Sequence, residues 1–382
     1  MRMPATNQDR RVSLFPVSLT DFSDPQPIDH LDLGLVGDVL LTDKLLDQPL
    51  RTDACNRHDA LWRPLSACSL VIANLEAPIT EREVPAESKP YNLKTSRRVL
   101  DVFDSRFVLN LANNHTMDYG PDGLLDTMEA LDAAGLAYTG AGANLDHARV
   151  PRHVSIAGVD VAVIGAADPR FYPATASTPG TFPAIPEMLV EAVLTARLRA
   201  QLVAVSIHMG LEHVHIPSVS QIHLAEECLA AGARLVHFHH SHCLSGSASD
   251  GRGIVLFGTG NYVFPSLSKL DVPRSKRTAV WRARYSKQKD AIVALGIEPA
   301  VIDRAGMPCP VEPRVAERER ETIRHYSQRM LAPVWRQFWR LHDMLRPSFL
   351  LFNIYNYATL LKRRGPVFVW RSLVAGLKVH RM

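Results

Sequence analysis

Short apolar runs and polar junctions alternate along the chain from about residue 30 onwards. Seven runs have the length and continuous apolar character of strands that are buried on both faces. They are Leu31–Val36, Leu70–Ala73, Phe107–Leu111, Val159–Ala166, Leu202–Ile207, Leu235–Phe238 and Ile254–Phe257. Helical patterns lie between several of them, so the sequence predicts an α/β layered fold.

Helices and further strands complete this prediction. Pro121–Ala134 and Ser218–Ala231 place apolar residues at helical spacing, and each is followed directly by a glycine that suits a helix end. The pair Ala157-Gly158 separates two apolar runs and predicts a hairpin turn. Thr278–Tyr285 and Ala291–Ile297 have the pattern of two later strands.

The chain divides into three parts by composition. Residues 1–29 are polar and are expected to form an irregular leader, residues 30–314 the main domain, and residues 315–382 a basic, aromatic helical extension. Hydrophobic residues make up 46% and charged residues 21% of the chain, which excludes a disordered protein. The five cysteines form no C-x-x-C pair, and no apolar signal peptide begins the chain. These features predict a cytoplasmic protein.

The C-terminal part differs electrostatically from the rest. Residues 331–382 hold nine Lys or Arg and one acid, Asp343. This pattern fits contact with the inner face of an anionic membrane or with a membrane protein, and it fits equally a helical cap on the core or a homodimer surface. No nucleic-acid reader motif accompanies the charge, so no nucleic-acid partner is expected.

Polar residues with metal-binding chemistry follow the predicted strands. They occur in the segments Gly37-Asp38, Asn74-Leu75-Glu76, Asn113-Asn114-His115, His208, His239-His240-Ser241-His242 and Gly260-Asn261. In α/β folds, functional sites gather beyond the carboxyl ends of the strands. Each segment alone is a weak signal, because an acid after a strand usually belongs to a turn. Together they offer the oxygen and nitrogen donors that divalent metals take, and they predict a metal site.

The same segments carry a resemblance to a known family. The stretches VGDVLLTD, NLEAPIT, LANNHTMDYG, TGAGANLDHA, HMGLEH, GARLVHFHHSHC and LFGTGNYVF together resemble the CapA-type poly-gamma-glutamate capsule biosynthesis proteins of the calcineurin-like metallophosphoesterase superfamily. The resemblance covers roughly residues 30–312. It implies a layered metallophosphoesterase-like sandwich with a metal site at the strand ends.

The resemblance also implies a role for each matching residue. The metal ligands would be Asp38, Glu76, Asn114, His208, His240 and His242, with Glu76 bridging two metals. His115 would contact the substrate and protonate a leaving group, while Asp118 and Glu212 would orient the neighbouring side chains. The cofactor would be one or two divalent ions, of Mn, Fe, Zn or Mg.

Two positions depart from the family pattern. Leu40 stands where the superfamily has a metal-binding histidine, which predicts a weakened second site or a single metal. Phe238 replaces a glycine and is expected to narrow the approach to the metal. In an extended segment His240 and His242 share one face, so His239 is expected to point away from it.

The implied function is a metal-dependent hydrolase of the metallophosphoesterase type. It would cleave a phosphoester or amide in a small-molecule or polymer substrate, during synthesis of capsule, poly-gamma-glutamate or a related cell-envelope or secondary polymer. The alternative is a non-catalytic scaffold of the same fold in a membrane-associated complex, which Leu40 favours and Asn114-His115 weighs against. No Walker-type loop is present, so ATP is not expected.

Overall fold

The computed structural model describes residues 12–20, 29–48, 61–86, 91–266 and 273–332, together with residues 341, 345, 354, 358, 361 and 362. The strands are β1 Phe15–Pro16, β2 His30–Val39, β3 Leu70–Leu75, β4 Phe107–Asn110, β5 Ala137–Thr139, β6 Ala141–Gly142, β7 Arg152–Ile156, β8 Val159–Ala167, β9 Gly180–Thr181, β10 Leu202–His208, β11 Leu235–His239, β12 Ser247–Ser249, β13 Ile254–Leu256, β14 Asn261–Val263, β15 Arg277–Ser286, β16 Ala291–Ile302 and β17 Pro308–Pro310.

Six α-helices and three short 3₁₀ helices accompany these strands in the described parts of the chain. The α-helices are α1 Asp43–Leu46, α2 Gly120–Ala133, α3 Leu145–Ala148, α4 Pro186–Arg197, α5 Val219–Ala231 and α6 Pro313–Met330. The 3₁₀ helices are Arg63–Leu65, Arg97–Val102 and Pro273–Lys276.

Two large sheets form the centre of the molecule. The first sheet has the strand order β1-β12-β13-β11-β10-β8-β7, and the second has the order β17-β16-β15-β2-β3-β4-β5, with β14 paired to β2. Within the first sheet β8, β10, β11 and β13 run parallel, and within the second β2, β3, β4 and β5 do. Strand β15 lies antiparallel to β2 on the side opposite β3.

The sheets pack face to face over a shared apolar layer. Leu33 on β2, Val161 on β8 and Trp281 on β15 lie in this layer and are fully buried. Each such side chain contributes roughly 1.5–3 kcal/mol when it is removed from water. Because strand side chains alternate between faces, the remaining residues of these strands point outwards and need a second cover.

Helices provide that second cover. On the outer face of the first sheet, α4 and α5 pack over residues such as Val203 and Val236. On the outer face of the second sheet, α2 packs over Val71 and Leu109. The result is a four-layer α/β/β/α sandwich. It confirms the predicted α/β layered architecture and explains why these strands are mostly apolar on both faces.

All seven predicted central strands are present, as β2, β3, β4, β8, β10, β11 and β13. The two predicted helices are α2 and α5. Ser218 caps α5 in a reciprocal capping box with Gln221, and Gly232 ends it with a φ of 113°. The predicted hairpin turn is confirmed at Ala157-Gly158, where both residues have positive φ.

Helix α6 covers one end of the first sheet. It packs against β12 and β16 and buries Ala316, Ile323 and Met330. Ser327 Oγ accepts a hydrogen bond of 2.9 Å from the Ser247 backbone N–H, which joins the helix to β12. The beginning of the predicted helical extension is thus part of the sandwich surface.

Both termini extend beyond these elements. Within the predicted leader, β1 pairs antiparallel with β12. Most of residues 333–382 lie outside the described residues, so the membrane or homodimer contact expected of this basic segment stays a prediction. No helix in the described parts of the chain has the length and apolar character needed to cross a bilayer.

Candidate metal centre

The candidate site lies where the carboxyl ends of both sheets meet. Asp38 is next to last in β2, while His208 and His239 are the last residues of β10 and β11. The two sheets come into contact here, because His208 Nδ1 lies 3.3 Å from Asn74 Nδ2 and 3.8 Å from Asp38 Oδ1. Parallel strands therefore deliver polar side chains from two different sheets to one place.

The local backbone fixes Asp38 in this position. A Cβ on Gly37 would lie 1.7 Å from the Gly260 carbonyl oxygen, so only glycine allows the two segments to approach. The Asp38 N–H donates to the same carbonyl at 3.1 Å. The carboxylate then accepts from Asn74 Nδ2 at 2.8 Å and from the His240 backbone N–H at 3.2 Å.

Three overlapping groups of side chains bring their donor atoms within 4.8 Å of one another. They are Asp38 with His208 and His239, Asp38 with Glu76 and His242, and Glu212 with His240 and His242. Five of the six predicted ligands are in these groups. The sixth, Asn114, is joined to them through its Oδ1 atom, which lies 2.9 Å from His208 Nε2.

Glu76 is the least satisfied member of this site. Both carboxylate oxygens are buried, and neither has a hydrogen-bond partner among the described residues. His242 Nε2 lies 3.8 Å from Glu76 Oε1, beyond hydrogen-bond distance. Burial, and then the neighbouring Asp38 carboxylate, raise the pKa of Glu76 well above its usual value. A divalent cation would supply the positive charge that this carboxylate lacks, so the residues present fit a metal.

His242 stands between the two acids. Its Nδ1 atom lies 3.1 Å from Asp38 Oδ2 and 2.7 Å from Asn261 Oδ1. Burial alone would lower its pKa, but the Glu76 and Asp38 carboxylates raise the pKa of His242 to about 10. Burial likewise opposes ionisation of Asp38, yet the hydrogen bond and charge of His242 hold the pKa of that carboxyl below its usual value.

The other histidines of the site are held neutral. Burial lowers the pKa of His208 well below its usual value and that of His239 to about 4. Their Nδ1 atoms are 2.7 Å apart, and His239 Nε2 lies 3.0 Å from Ser206 Oγ and 3.1 Å from Asn110 Nδ2. Burial also lowers the pKa of His240, with smaller contributions from nearby positive charges that include Arg170. Neutral imidazole is the form that binds metals.

The prediction that His239 points away from the site was wrong. Its side chain is buried, and its Nδ1 atom lies 3.6 Å from Asp38 Oδ1. The alternation argument assumed an extended backbone through His242. Strand β11 instead ends at His239, and His240 and His242 have φ angles of 89° and 54°. These left-handed residues turn the following side chains back towards the same site.

His115 and Asp118 form a pair beside the ligand groups. His115 Nδ1 lies 2.7 Å from Asp118 Oδ2, and the same oxygen accepts a hydrogen bond of 2.5 Å from the Leu93 backbone N–H. The His115 backbone N–H donates to Asn113 Oδ1 at 2.9 Å. Asp118 is fully buried while His115 is partly exposed. Asp118 was expected to orient the histidine ligands, and its carboxylate instead contacts His115.

Two further predicted positions have clear locations. Glu212, expected only to orient histidines, places its carboxylate among the candidate ligand atoms with His240 and His242. Leu40 is buried in a small apolar cluster with Ala77, so this position supplies no ligand.

The prediction that Phe238 narrows the approach to the metal was wrong. Its ring is buried in the outer core of the first sheet and stacks on Phe257 with 5.7 Å between centroids. The residue lies on β11 one position before His239, so its side chain points to the opposite face of the sheet from the site.

Sequence reasoning missed several residues that hold the site. Asn110 contacts His239. A Cβ on Gly140 or Gly165 would lie only 2.5 or 2.3 Å from Asn110 Oδ1, so both glycines leave room for this side chain. The Phe171 ring lies 4.9 Å from that of His240. A signal for Asn110 exists in the sequence, since it is a polar residue inside an otherwise apolar doubly buried strand. No comparable signal marks Phe171.

Solved structures give a partial likeness. A novel phosphatase from Mycoplasma pneumoniae is 12% identical with a TM-score of 0.45, covering 77% of this chain and 99% of that one. A 5'-nucleotidase precursor from Thermus thermophilus is 15% identical with a TM-score of 0.43, covering 78% of this chain and 58% of that one. No function follows from superpositions at this level.

Sequence relatives are more informative. The chain is 31% identical over 245 residues to the PGA biosynthesis protein CapA of Bacillus subtilis (strain 168), covering 62% of this chain and 64% of that protein. It is 31% identical over 303 residues to the capsule biosynthesis protein CapA of Bacillus anthracis, covering 75% of this chain and 72% of that protein.

A probable polyglutamine synthesis accessory protein of Mycobacterium tuberculosis (strain ATCC 25618 / H37Rv) is 30% identical over 192 residues, covering 46% of this chain and 50% of that protein. The chain thus spans about two thirds of the two CapA proteins and half of this one. The profile of the bacterial capsule synthesis protein family PGA_cap matches residues 32–266, which include every residue of the candidate metal centre. The chain belongs to the bacterial capsule synthesis protein PGA_cap family.

Proposed function

We propose that this protein is a metal-dependent hydrolase that acts on a phosphoester or amide in the synthesis of a poly-gamma-glutamate capsule or a related envelope polymer. The observation that carries the proposal is the buried Glu76 carboxylate, which lacks a hydrogen-bond partner among the described residues and lies beside Asp38 and His242. An enzyme site of this kind stores electrostatic strain that a bound cation relieves.

The residues that would hold one or two divalent ions share buried positions and oxygen or nitrogen donor atoms. They are Asp38, Glu76, Asn114, His208, His240 and His242, with His239 and Glu212 as additional donors. When bound, such an ion polarises a phosphoryl or carbonyl oxygen and lowers the pKa of a water towards 7. The donor set suits Mn, Fe or Zn, and less well Mg, which prefers oxygen ligands.

The chain's own groups would then position the substrate and move the proton. His115 has its Nδ1 atom held by Asp118, so Nε2 is the nitrogen that can pass a proton to a departing group. Asp118 is a positioning residue here, because its second contact with the Leu93 backbone fixes the carboxylate in turn. The partly exposed position of His115 leaves it accessible to a substrate.

The polymer named in this proposal comes from the relatives. Two of them are named for PGA or capsule biosynthesis, and the chain covers 64% and 72% of their lengths. A capsule polymer built from amide-linked acidic residues offers a bond of the class that a metal centre and a proton donor can cleave or transfer.

A non-catalytic scaffold within a biosynthetic complex is the second candidate. Leu40 favours it, because this buried apolar side chain occupies the position where a further ligand was expected. The two candidates differ in whether His115 matters. A scaffold would keep its function without the His115 side chain as long as its fold and surface are intact, whereas an enzyme would need this proton donor.

The test combines metal content with hydrolysis. The full chain, Asp38→Ala and His115→Ala are compared by elemental analysis, by hydrolysis of bis(p-nitrophenyl) phosphate and by cleavage of gamma-glutamyl amides. The control is His223→Ala, which removes an exposed histidine from α5. We expect stoichiometric metal in the wild type, metal loss in Asp38→Ala, and metal without turnover in His115→Ala. A wild type without stoichiometric metal, together with unchanged function in both variants, would exclude the enzyme.

A further inference from the structure

A short loop after β8 brings one arginine to the rim of the metal centre. Asp168 follows β8 directly, and its backbone N–H donates to the His208 carbonyl at 2.9 Å. The Phe171 ring lies 4.9 Å from the His240 ring and 5.9 Å from that of His208. The guanidinium carbon of Arg170 lies over Phe171, 5.9 Å from its centroid. The arginine thus lies over an aromatic ring that itself packs against two candidate ligands.

Asp168 orients this guanidinium through one of its edges. Arg170 Nε donates to Asp168 Oδ1 at 2.8 Å, and Nη2 donates to Oδ2 at 2.7 Å. The Arg170 backbone N–H also donates to Oδ1, at 3.0 Å. A guanidinium has five N–H groups, so this pair leaves the edge formed by Nη1 and the second N–H of Nη2. Nη1 donates no hydrogen bond to any residue in the described ranges, and the side chain is 41% exposed.

An Asp-x-Arg pair in which the aspartate also accepts from both Nε and Nη2 of the arginine lies at the opposite end of a sheet, and shows what a purely structural version looks like. Asp104 orients Arg106, just before β4, through Nε at 3.0 Å and Nη2 at 2.7 Å. There the remaining nitrogen is also used, because Arg106 Nη1 donates to the Leu65 carbonyl at 3.0 Å. In Arg106 both edges hold the fold together, whereas in Arg170 one edge is left open beside the metal centre.

We propose that Arg170 binds a second, non-reacting oxyanion of the substrate, a carboxylate or a phosphate, next to the bond that is cleaved. The inference rests on the proposed function for the location of that bond. A fixed arginine with an open edge matches the two oxygens of such a group, and Asp168 lowers the entropy cost by holding the fork in place. The protein would accordingly select substrates with a negative charge adjacent to the reacting group.

Binding to the full chain tests this without relying on turnover. The probes are tri-γ-glutamate, its analogue with the α-carboxylates converted to amides, and inorganic phosphate. Each is titrated by calorimetry into the metal-loaded and the metal-free protein. Arg170→Gln is expected to weaken tri-γ-glutamate or phosphate binding about tenfold, which corresponds to about 1.4 kcal/mol. Arg170→Lys keeps the positive charge but loses the two-pronged geometry of the guanidinium, so its dissociation constants are expected to lie between those of the wild type and of Arg170→Gln.

Arg106→Gln is the matched control, because it makes the same change in an arginine with the same aspartate contacts. It is expected to leave both dissociation constants unchanged, whereas Arg170→Gln weakens binding. Both variants lose the ion pair to their aspartate, so the dissociation constants, and not the melting temperature, distinguish them. Weaker binding of tri-γ-glutamate alone assigns a carboxylate to the site, and weaker binding of phosphate alone assigns a phosphate. Unchanged binding of both probes in Arg170→Gln overturns the inference. Arg170-dependent binding without any hydrolysis would instead overturn the proposed enzyme and leave this site standing.

Discussion

Charged side chains cluster at both ends of the sandwich, but the two clusters differ in how well the buried acids are hydrogen-bonded. At the amino ends of β10 and β11, the Asp290 carboxylate accepts hydrogen bonds from Arg197 at 2.9 Å, Arg234 at 2.6 Å and Tyr285 at 2.9 Å. Burial raises the pKa of Asp290, but the hydrogen bond from Arg234 and its other partners bring it below its usual value. This acid is stable as a carboxylate where it lies.

At the carboxyl ends, Glu76 has the opposite environment. Its oxygens have no donor among the described residues, and its pKa is raised by burial and by the Asp38 carboxylate. A buried acid without a donor costs stability, so this environment is the one that a bound cation would improve. The two ends thus differ in whether the described protein groups satisfy the acid.

The largest effect is expected from Asp38→Asn. Asparagine keeps an oxygen for the Asn74 hydrogen bond but loses the charge shared by two ligand groups. Hydrolysis should fall about 1,000-fold, or about 4 kcal/mol in activation free energy, and elemental analysis should show metal loss. The free energy of unfolding of the metal-free protein should also fall, by about 2 kcal/mol, because the variant removes the carboxylate that His242 contacts. A variant that keeps both its metal and its rate would remove Asp38 from the site.

The second largest expected effect is a pH dependence of the free energy of unfolding, which arises from His239 at the carboxyl end of β11. The pKa of His239 is lowered to about 4 in the folded protein, so only the unfolded chain takes up its proton between pH 6.5 and 4. Stability therefore falls as the pH drops through this window, by up to about 3 kcal/mol from this residue. His239→Gln should remove that part of the slope in chemical denaturation of the metal-free protein.

Two controls separate this effect from others. His223→Gln, at an exposed histidine, should keep the wild-type slope between pH 6.5 and 4. Asp290→Asn should also keep it, because the pKa of Asp290 is lowered and its contribution is lost only at more acidic pH. Protonation of Glu76 is common to all of these proteins and cancels in the differences. Parallel curves for wild type and His239→Gln would contradict a neutral His239.

The third prediction concerns the amino end itself. Asp290→Asn leaves Arg197 and Arg234 without the carboxylate that both contact, so the free energy of unfolding should fall by about 2 kcal/mol. Metal content and the rate of hydrolysis per folded molecule should stay at the wild-type level. Loss of metal in this variant would show that the two ends are coupled and that the contrast between them is false.

The smallest effect is a gain in stability. Burial and the Asp38 carboxylate oppose ionisation of Glu76, so Glu76→Gln removes that cost and the metal-free protein should become more stable by about 1 kcal/mol. The same variant should bind less metal, because it loses the carboxylate shared with Asp38 and His242. Calorimetric melting with and without added Mn would measure both. A less stable metal-free variant would mean that Glu76 has a donor partner after all.

Much of the fold could be predicted from the sequence, because burial on both faces makes the central strands apolar over most of their length. The short elements could not. Strands β12 and β14 are three residues long, and their pairing depends on long-range register rather than on local pattern. Helix α4 has the appropriate spacing in Leu189, Val193 and Ala196 but was not among the predicted elements.

The candidate site was predictable in its ligand types and less so in its geometry. Strand ends identified Asp38, Glu76 and His208, because each follows or ends a parallel strand and the carboxyl ends of both sheets lie at the same end of the sandwich. His239 was misjudged because its neighbours adopt positive φ, which histidine seldom does and which local sequence does not reveal. Arg170 was overlooked because only the position of β8 next to β10 brings its loop to the site.

Strand β15, the antiparallel neighbour of β2, limits how far this protein can be shortened from its C-terminus. The family profile ends at residue 266, whereas β15, which pairs with β2 along six residues from Trp281 to Ser286, begins at residue 277. A fragment cut at the profile boundary would leave the strand of Asp38 with an open hydrogen-bonding edge and expose the apolar layer that Trp281 covers. Such an edge is a template for aggregation. The smallest piece that folds by itself is therefore longer than the piece that identifies the family.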